Sequence, residues 1–247
     1  MVPFTSKGSD IASNDSCQYS NFSFAQPLCV IVIVGFDQDR DGLNEDISAI
    51  KDAFCEHFNI KLEMLINENR KTISDKFSSF HTDDQWLEIF RNAHFVAVFC
   101  LSHGTADGQI ELKSKNEISD ARRLLLCPLF KIQELDYKLK WLVVQACRGE
   151  LNNYRPLQND GEDQVYPNHH FISYCTGEGT ESFQRGTGGK VYIQELCKEI
   201  KRNIREKRLY DMIESVNTRI GEFAKTQGST TFQKPAFKYS YEDYTFF

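Results

Sequence analysis

The chain has 247 residues, of which 40% are hydrophobic and 26% charged, and this composition fits a globular protein with one large domain or two small ones. Its formal net charge of −6 argues against a nucleic-acid-binding surface, and no apolar run approaches the roughly 18 residues of a membrane span. The polar beginning of the sequence lacks the apolar core of a signal peptide, so we expect a cytoplasmic protein with no membrane partner.

Residues 1–24 are rich in Ser, Asn, Asp and Gln and predict a short flexible leader. Apolar runs and helical periodicities then alternate along the chain, and this interleaving predicts an α/β fold with a mostly parallel central sheet. The predicted strands are 27–36, 61–65, 94–102, 141–146 and 171–176; the predicted helices are 44–58, 69–80, 83–92, 190–206 and 210–224. Residues 148–170 are polar with two prolines, a long segment of the kind that is usually functional or disordered, and 234–247 are aromatic and β-like.

The eight cysteines show no metal-binding spacing, because none falls in a C-x-x-C pair and the six histidines show no H-x-x-x-H pattern. We therefore expect no metal site. Several cysteines lie inside apolar runs, and in a reducing compartment such residues are small buried side chains. This interpretation applies to each cysteine unless other residues argue against it.

Three predicted strands end in chemically capable side chains, at Asp37 to Arg40, at Ser102 to Gly104 and at Gln145 to Arg148. Carboxyl ends of parallel strands meet at one edge of a sheet, which is where ligands bind. There a histidine could take the proton of a cysteine and later return it to a leaving amine, while two backbone N–H groups hold the oxyanion. Taken singly, however, the cysteine could be core, the histidine surface and the glycine a simple turn.

The motifs around these residues resemble, in order, those of the caspase family. The cysteine motif QACRG follows the histidine of LSHG by 44 residues, the order and approximate spacing of that family. The resemblance extends over about residues 25–247. Its other parts are DRDGLNEDISAIKDAF (39–54), YCTGEG (174–179), ESFQR (181–185), VYIQELC (191–197) and the final DYTFF, which is similar to the closing aromatic strand of the family.

This resemblance implies a caspase-like three-layer sandwich, with helices on both faces of the sheet, that needs no cofactor and no metal. It implies a large-subunit region at 25–160 and a small-subunit region at 161–247, which together form one catalytic domain. Cys147 would be the nucleophile and His103 the acid and base, and the N–H groups of Gly104 and Cys147 would form the oxyanion hole. Arg148 would fix the loop rather than contact the substrate.

The resemblance also implies cleavage after aspartate, in a pocket made by Arg40, Gln145 and Arg185, because arginine N–H groups bind a carboxylate well. Phe183 would line the neighbouring subsite. Maturation would follow cleavage after Asp160, in the polar segment 148–170 that links the two regions (the linker), and after Asp15, in the leader. Implied partners are protein substrates with aspartate at the cleaved position, a second copy of the chain or another caspase, and inhibitor-of-apoptosis proteins.

Several positions depart from the family pattern and keep other interpretations open. Phe183 stands alone between Ser182 and Gln184 where caspases commonly carry more aromatic rings, and Val191 replaces a common tryptophan. The loop after Arg185 is about one residue shorter than usual. The main hypothesis is an active protease of apoptosis or related signalling. One alternative is a weakly active or inactive homologue that binds and modulates an active caspase. Another is a related cysteine peptidase of the same fold with basic or other specificity, which Arg40 and Arg185 oppose.

Overall fold

The computed structural model describes residues 26–38, 40–105, 109–113, 117–148, 169–177, 188–226, 233, 235–240 and 243–247. Within them lies a six-stranded sheet in the order β2-β1-β3-β6-β7-β8, with a small second sheet formed by β4 and β5. The strands are β1 Leu28–Gly35, β2 Asn59–Ile66, β3 Ala93–Leu101, β4 Ile110–Glu111, β5 Ile118–Ser119, β6 Leu139–Gln145, β7 His170–Tyr174 and β8 Ala236–Tyr239. The α-helices are α1 Leu43–Cys55, α2 Arg70–Ser79, α3 Asp84–Asn92, α4 Val191–Asn203 and α5 Leu209–Thr226.

The large sheet is parallel from β2 to β7, and β8 runs antiparallel to β7 at its edge. Two apolar layers cover its faces. Residues of α1, α4 and α5 pack on one face and residues of α2 and α3 on the other. The predicted three-layer sandwich with a mostly parallel sheet is therefore confirmed.

The continuous apolar run of β1 reflects burial on both faces of the sheet. Cys29, Ile31 and Ile33 point into the layer with α1, α4 and α5, whereas Val30 and Val32 point into the opposite layer. Each fully buried Val or Ile side chain contributes about 1.5–3 kcal/mol, so both faces of this strand stabilise the fold. A central parallel strand has no solvent-facing side, and for this reason its sequence does not alternate.

Two helix starts follow directly from capping residues. The side chain of Asn69 accepts a hydrogen bond from Thr72 N at the start of α2, and that of Asp83 accepts from Gln85 N and Trp86 N at the start of α3. Asparagine and aspartate at this position satisfy N–H groups that have no partner inside the helix. The predicted starts at 69 and 83 coincide with these caps.

Other sequence-based boundaries were less accurate. β2 spans Asn59–Ile66 rather than 61–65, and residues Arg122–Leu135 form a π-helical turn and two 3-10 turns that no periodicity indicated. The expectation that DYTFF is the closing strand is wrong, since the strand of this region is Ala236–Tyr239 and residues 243–247 have no strand structure. Phe246 instead packs into the core, where its ring centroid lies 4.9 Å from that of Phe95. In the described part of the chain, no helix is both long and apolar enough to cross a membrane.

Candidate active site

The three strand ends with chemically capable side chains lie side by side. The register pairs Gly35 of β1 with Leu101 of β3, and Leu101 with Gln145 of β6. Beyond these pairs, Phe36 N donates to Leu101 O and Ser102 N donates to Gln145 O, each over 3.0 Å. The segments that carry Arg40, His103 and Cys147 therefore leave the sheet at the same edge, as the strand pattern predicted.

Gly104 lies directly against the backbone of Cys147. A Cβ atom at Gly104 would stand 1.7 Å from the carbonyl oxygen of Cys147 and 2.8 Å from its carbonyl carbon. Gly104 is not in the left-handed region that Gly42 and Gly189 occupy, so close approach rather than a special φ angle requires glycine here. The histidine loop is held in this place by Glu111 N, which donates to His103 O over 2.9 Å.

Cys147 differs from most of the other cysteines in its exposure. Cys29, Cys100, Cys175 and Cys197 are fully buried, whereas Cys147 is half-buried at the end of β6. Burial raises the pKa of Cys100 and of Cys175 to about 12, which keeps both thiols protonated at neutral pH. The interpretation of cysteines as core residues holds for these four, whereas Cys147, like Cys55 and Cys127, is only partly buried.

The segment that carries Cys147 is fixed by the end of β7. The guanidinium carbon of Arg148 lies 4.2 Å from the ring centroid of Tyr174, and both side chains are buried. The Cys175 thiol and the Thr176 hydroxyl both donate to Ala146 O over 3.3 Å. Arg148 thus makes a cation–π contact with the end of β7, and its expected role in fixing the loop remains a prediction.

Arg40 and Gln145 place polar atoms in a buried space near this edge. Arg40 is 4% exposed and Gln145 1% exposed. Arg40 Nη2 donates to Asp46 Oδ2 over 2.5 Å, but Arg40 Nε, Arg40 Nη1 and Gln145 Oε1 have no hydrogen-bond partner among the residues that the structure describes. Buried polar atoms are almost always paired, so these atoms indicate a place for a ligand. Guanidinium N–H groups favour a carboxylate.

Lys190 adds positive charge beside Arg40. Burial lowers the pKa of Lys190, and the Arg40 charge lowers it further, while Cys147 and Asp46 oppose the shift. Two basic side chains near the thiol give this edge a positive field, which suits an anionic ligand. Among the described residues, no group of three or more His, Cys, Asp or Glu side chains could hold a metal ion.

Four of the predicted site residues lie outside the described residues. They are Arg185, Phe183, Asp160 and Asp15. The roles of these four residues remain predictions. The other five, which the structure places at one edge of the sheet, are Arg40, His103, Gly104, Gln145 and Cys147.

Asp46 is a site residue to which the sequence assigned no role. It is fully buried and accepts hydrogen bonds from Arg40 Nη2, from Lys190 N over 2.9 Å and from Gln194 Nε2 over 3.2 Å. Burial raises the pKa of the Asp46 carboxyl, and Arg40, Lys190 N–H and Gln194 oppose that shift. The available signal is its place in the segment DRDGLNEDISAIKDAF (39–54), where Arg40, Gly42 and Asp46 form the pattern R-x-G-x-x-x-D that resembles the caspase family.

A family model described as the caspase domain matches residues 26–243. The match includes every strand of the large sheet and all five α-helices. It also includes the segments with Arg40, His103 and Cys147, and it extends over both sides of the segment 148–170. The similarity thus covers nearly the whole chain and not only the cysteine motif.

Proposed function

The chain belongs to the caspase family, and on that basis we propose that it is a cysteine endopeptidase that cleaves proteins after aspartate. The observation that carries this proposal is that two buried guanidinium nitrogens of Arg40 have no hydrogen-bond partner within the described parts of the chain. They lie at the sheet edge that also holds Cys147. A cysteine beside a cationic, carboxylate-binding pocket is the arrangement that this reaction requires.

In the proposed mechanism, His103 accepts the proton of the Cys147 thiol, and the thiolate attacks the backbone carbonyl carbon of the aspartate residue itself. The N–H groups of Gly104 and Cys147 donate to the oxyanion of the tetrahedral intermediate. The histidine then gives its proton to the amine that leaves, and a thioester joins Cys147 to the substrate. A water molecule, which loses a proton to His103, then attacks the thioester carbonyl carbon. The Cys147 thiolate leaves and takes that proton back from His103, which restores the free thiol.

Specificity would come from the buried charge of the pocket. The aspartate carboxylate of the substrate would accept hydrogen bonds from Arg40 and, as the resemblance implies, from Arg185 beside Gln145. A substrate with an uncharged side chain would leave these groups unpaired, which makes its transition state less stable. Phe183 would contact the residue that precedes the aspartate.

The cellular setting follows the family. We expect the protein to act in the cytoplasm, in apoptosis or related proteolytic signalling, after cleavage at Asp160 and at Asp15. Dimerisation with a second copy or another caspase would cover β8, which in the described sheet has a neighbour on one side alone. Inhibitor-of-apoptosis proteins are further candidate partners, whereas nucleic acids are not.

One observation favours the second candidate, a weakly active homologue that binds and modulates an active caspase. Val191 is 5% exposed and packs in the core at the start of α4, where the resemblance places a tryptophan. A valine offers less apolar surface than a tryptophan, at a position that closely follows Phe183 in the sequence. Lost apolar contact at a subsite costs about 1–3 kcal/mol of transition-state binding, enough to slow cleavage markedly.

An assay with matched tetrapeptides separates the two candidates. The purified protein, intact and cut in the linker, is tested with substrates that carry aspartate or alanine at the cleaved position, with and without high citrate. We expect cleavage of the aspartate substrate alone, and its loss in Arg40→Glu but not in Arg202→Glu, which changes an exposed arginine of α4. Absence of aspartate-dependent turnover in every condition refutes the protease proposal, and unchanged cleavage by Arg40→Glu refutes the pocket assignment.

A further inference from the structure

Asp46 joins two segments that are far apart in the sequence. One carboxylate oxygen accepts from Arg40, which follows β1, and the other accepts from Lys190 N and Gln194 Nε2 at the start of α4. The side chain of Asp46 is fully buried, and that of Arg40 is 1% exposed. This carboxylate therefore fixes the guanidinium from the side that faces α4.

The backbone around Asp46 is shaped for these contacts. Gly42 and Gly189 both have left-handed φ angles, of 83° and 84°. A Cβ atom at Gly42 would lie 2.7 Å from Gly189 Cα, and a Cβ atom at Gly189 would lie 2.6 Å from Asp46 Oδ1. A side chain at either position would push the two segments apart, so the sequence here permits an unusually close approach.

We propose that Asp46 is the positioning residue that gives the pocket its preference for aspartate, by holding Arg40 in one orientation. The proposal rests on the function proposed above. Asp46 uses Nη2 and leaves Nε and Nη1 for a ligand. An unrestrained arginine side chain loses rotamer entropy when a ligand fixes it, and in this protein the ion pair fixes it before the substrate arrives.

Asp46 also has an opposite electrostatic effect, and the two effects predict opposite results. A carboxylate beside Arg40 reduces the net charge that attracts the carboxylate of the substrate, so its removal could strengthen binding. If Asp46 acts by positioning Arg40, its removal should instead make binding of the aspartate peptide weaker and less selective. Positioning outweighs charge reduction here because a buried arginine without its anchor has several orientations, of which few direct Nε and Nη1 at one ligand.

The test measures binding rather than turnover. Calorimetry on Cys147→Ser protein gives the affinities for product tetrapeptides that end in aspartate or in asparagine. Asp46→Asn keeps an oxygen to accept from Lys190 N, but its amide cannot accept from Arg40. We expect the ratio of the two affinities to fall about tenfold or more, and we expect this effect to vanish in the Arg40→Ala background, because Asp46 acts through Arg40.

Two comparisons exclude a general loss of structure. Asp75→Asn breaks an exposed ion pair with Lys71 and should leave the ratio unchanged. If Asp46→Asn protein does not fold, as thermal unfolding would show, Gln194→Met removes one donor to Asp46 and keeps the ion pair, and it should lower the ratio two- to fivefold.

Three outcomes overturn the inference: an unchanged ratio, a higher affinity for the aspartate peptide, or an effect of Asp46→Asn that persists without Arg40. Failure of wild-type protein to cleave after aspartate, with the binding preference intact, would refute the proposed function alone. A parent protein that binds neither peptide would refute both the pocket and the role of Asp46.

Discussion

Replacement of Gly104 with alanine tests whether the histidine loop must touch the cysteine segment. The new methyl group would lie 1.7 Å from Cys147 O, whereas ordinary contact begins near 3.4 Å, so the two segments must separate by about 1.7 Å. A misplacement of about 1 Å at an active site can cost about 100-fold in rate. We therefore expect Gly104→Ala to lose at least about 100-fold in kcat/KM, which corresponds to about 2.7 kcal/mol.

The assay combines turnover of an aspartate tetrapeptide with thermal unfolding. Gly221→Ala is the matched control, since a Cβ atom at Gly221 on α5 meets no heavy atom within 4 Å. Alanine in the middle of a helix is about 0.5–1 kcal/mol more stable than glycine, so this variant should be fully active and slightly more stable. Gly104→Ala should lose activity at a temperature where its fold is intact.

Two results would contradict this reasoning. Activity within threefold of wild type would mean that the catalytic geometry does not depend on the approach of Gly104 to Cys147. Loss of activity only in proportion to unfolded protein would mean that Gly104 serves stability. Because Gly104 has no positive φ angle, backbone strain cannot explain a deficit of Gly104→Ala protein.

Three further predictions use other side chains. An aspartyl ketone should label Cys147 and no other cysteine by mass spectrometry; label spread evenly over the cysteines would exclude an activated nucleophile. Burial lowers the pKa of Lys140 to about 8. Between pH 8 and 10.4 the unfolded state alone keeps the Lys140 proton, so the unfolding free energy of wild type should rise by about 3 kcal/mol relative to that of Lys140→Met. Urea titrations measure this difference, and a difference that stays constant with pH would refute the prediction. Glu199 has a lowered pKa because, although burial raises it, hydrogen bonds from Lys207 and Arg219 outweigh burial. Glu199→Gln should therefore cost about 1 kcal/mol at pH 7, a loss that shrinks as the pH falls below about 4.3; a loss that does not shrink would contradict the charged contacts.

The sheet, and the edge where Arg40, His103 and Cys147 follow the strands, could be predicted because buried parallel strands have a recognisable apolar sequence pattern. The runs at 27–36, 94–102 and 141–146 are largely apolar, because side chains on both faces of a buried strand lie in the core. The polar residues after each run mark one edge once the strands are parallel. His103 and Cys147 could thus be placed near each other without coordinates, and the match of the caspase domain to residues 26–243 agrees with that interpretation.

The contacts of Asp46 could not be predicted in the same way. They join residues 148 positions apart, Asp46 and Gln194, and no periodicity links such distant positions. The turns between Arg122 and Leu135 were missed because short π and 3-10 turns have no repeating apolar pattern. The misassigned end of the chain has a related cause: the aromatic residues of DYTFF suit a strand, but Phe246 is drawn into the core by packing against Phe95.

The contacts across the two halves of the chain also explain how the proposed cut after Asp160 could leave one catalytic unit. In the sequence, β6 comes before the linker and β7 after it. The two strands pair in parallel, and Trp141 Nε1 donates to Ser173 Oγ over 2.9 Å. Asp46 makes a second connection, to Lys190 N and Gln194 Nε2 at the start of α4. A chain cut in the linker would keep both connections, because neither depends on residues 149–168. The cut would therefore free the two ends of the linker, but the half with Arg40 and Cys147 would stay bound to the half with Lys190.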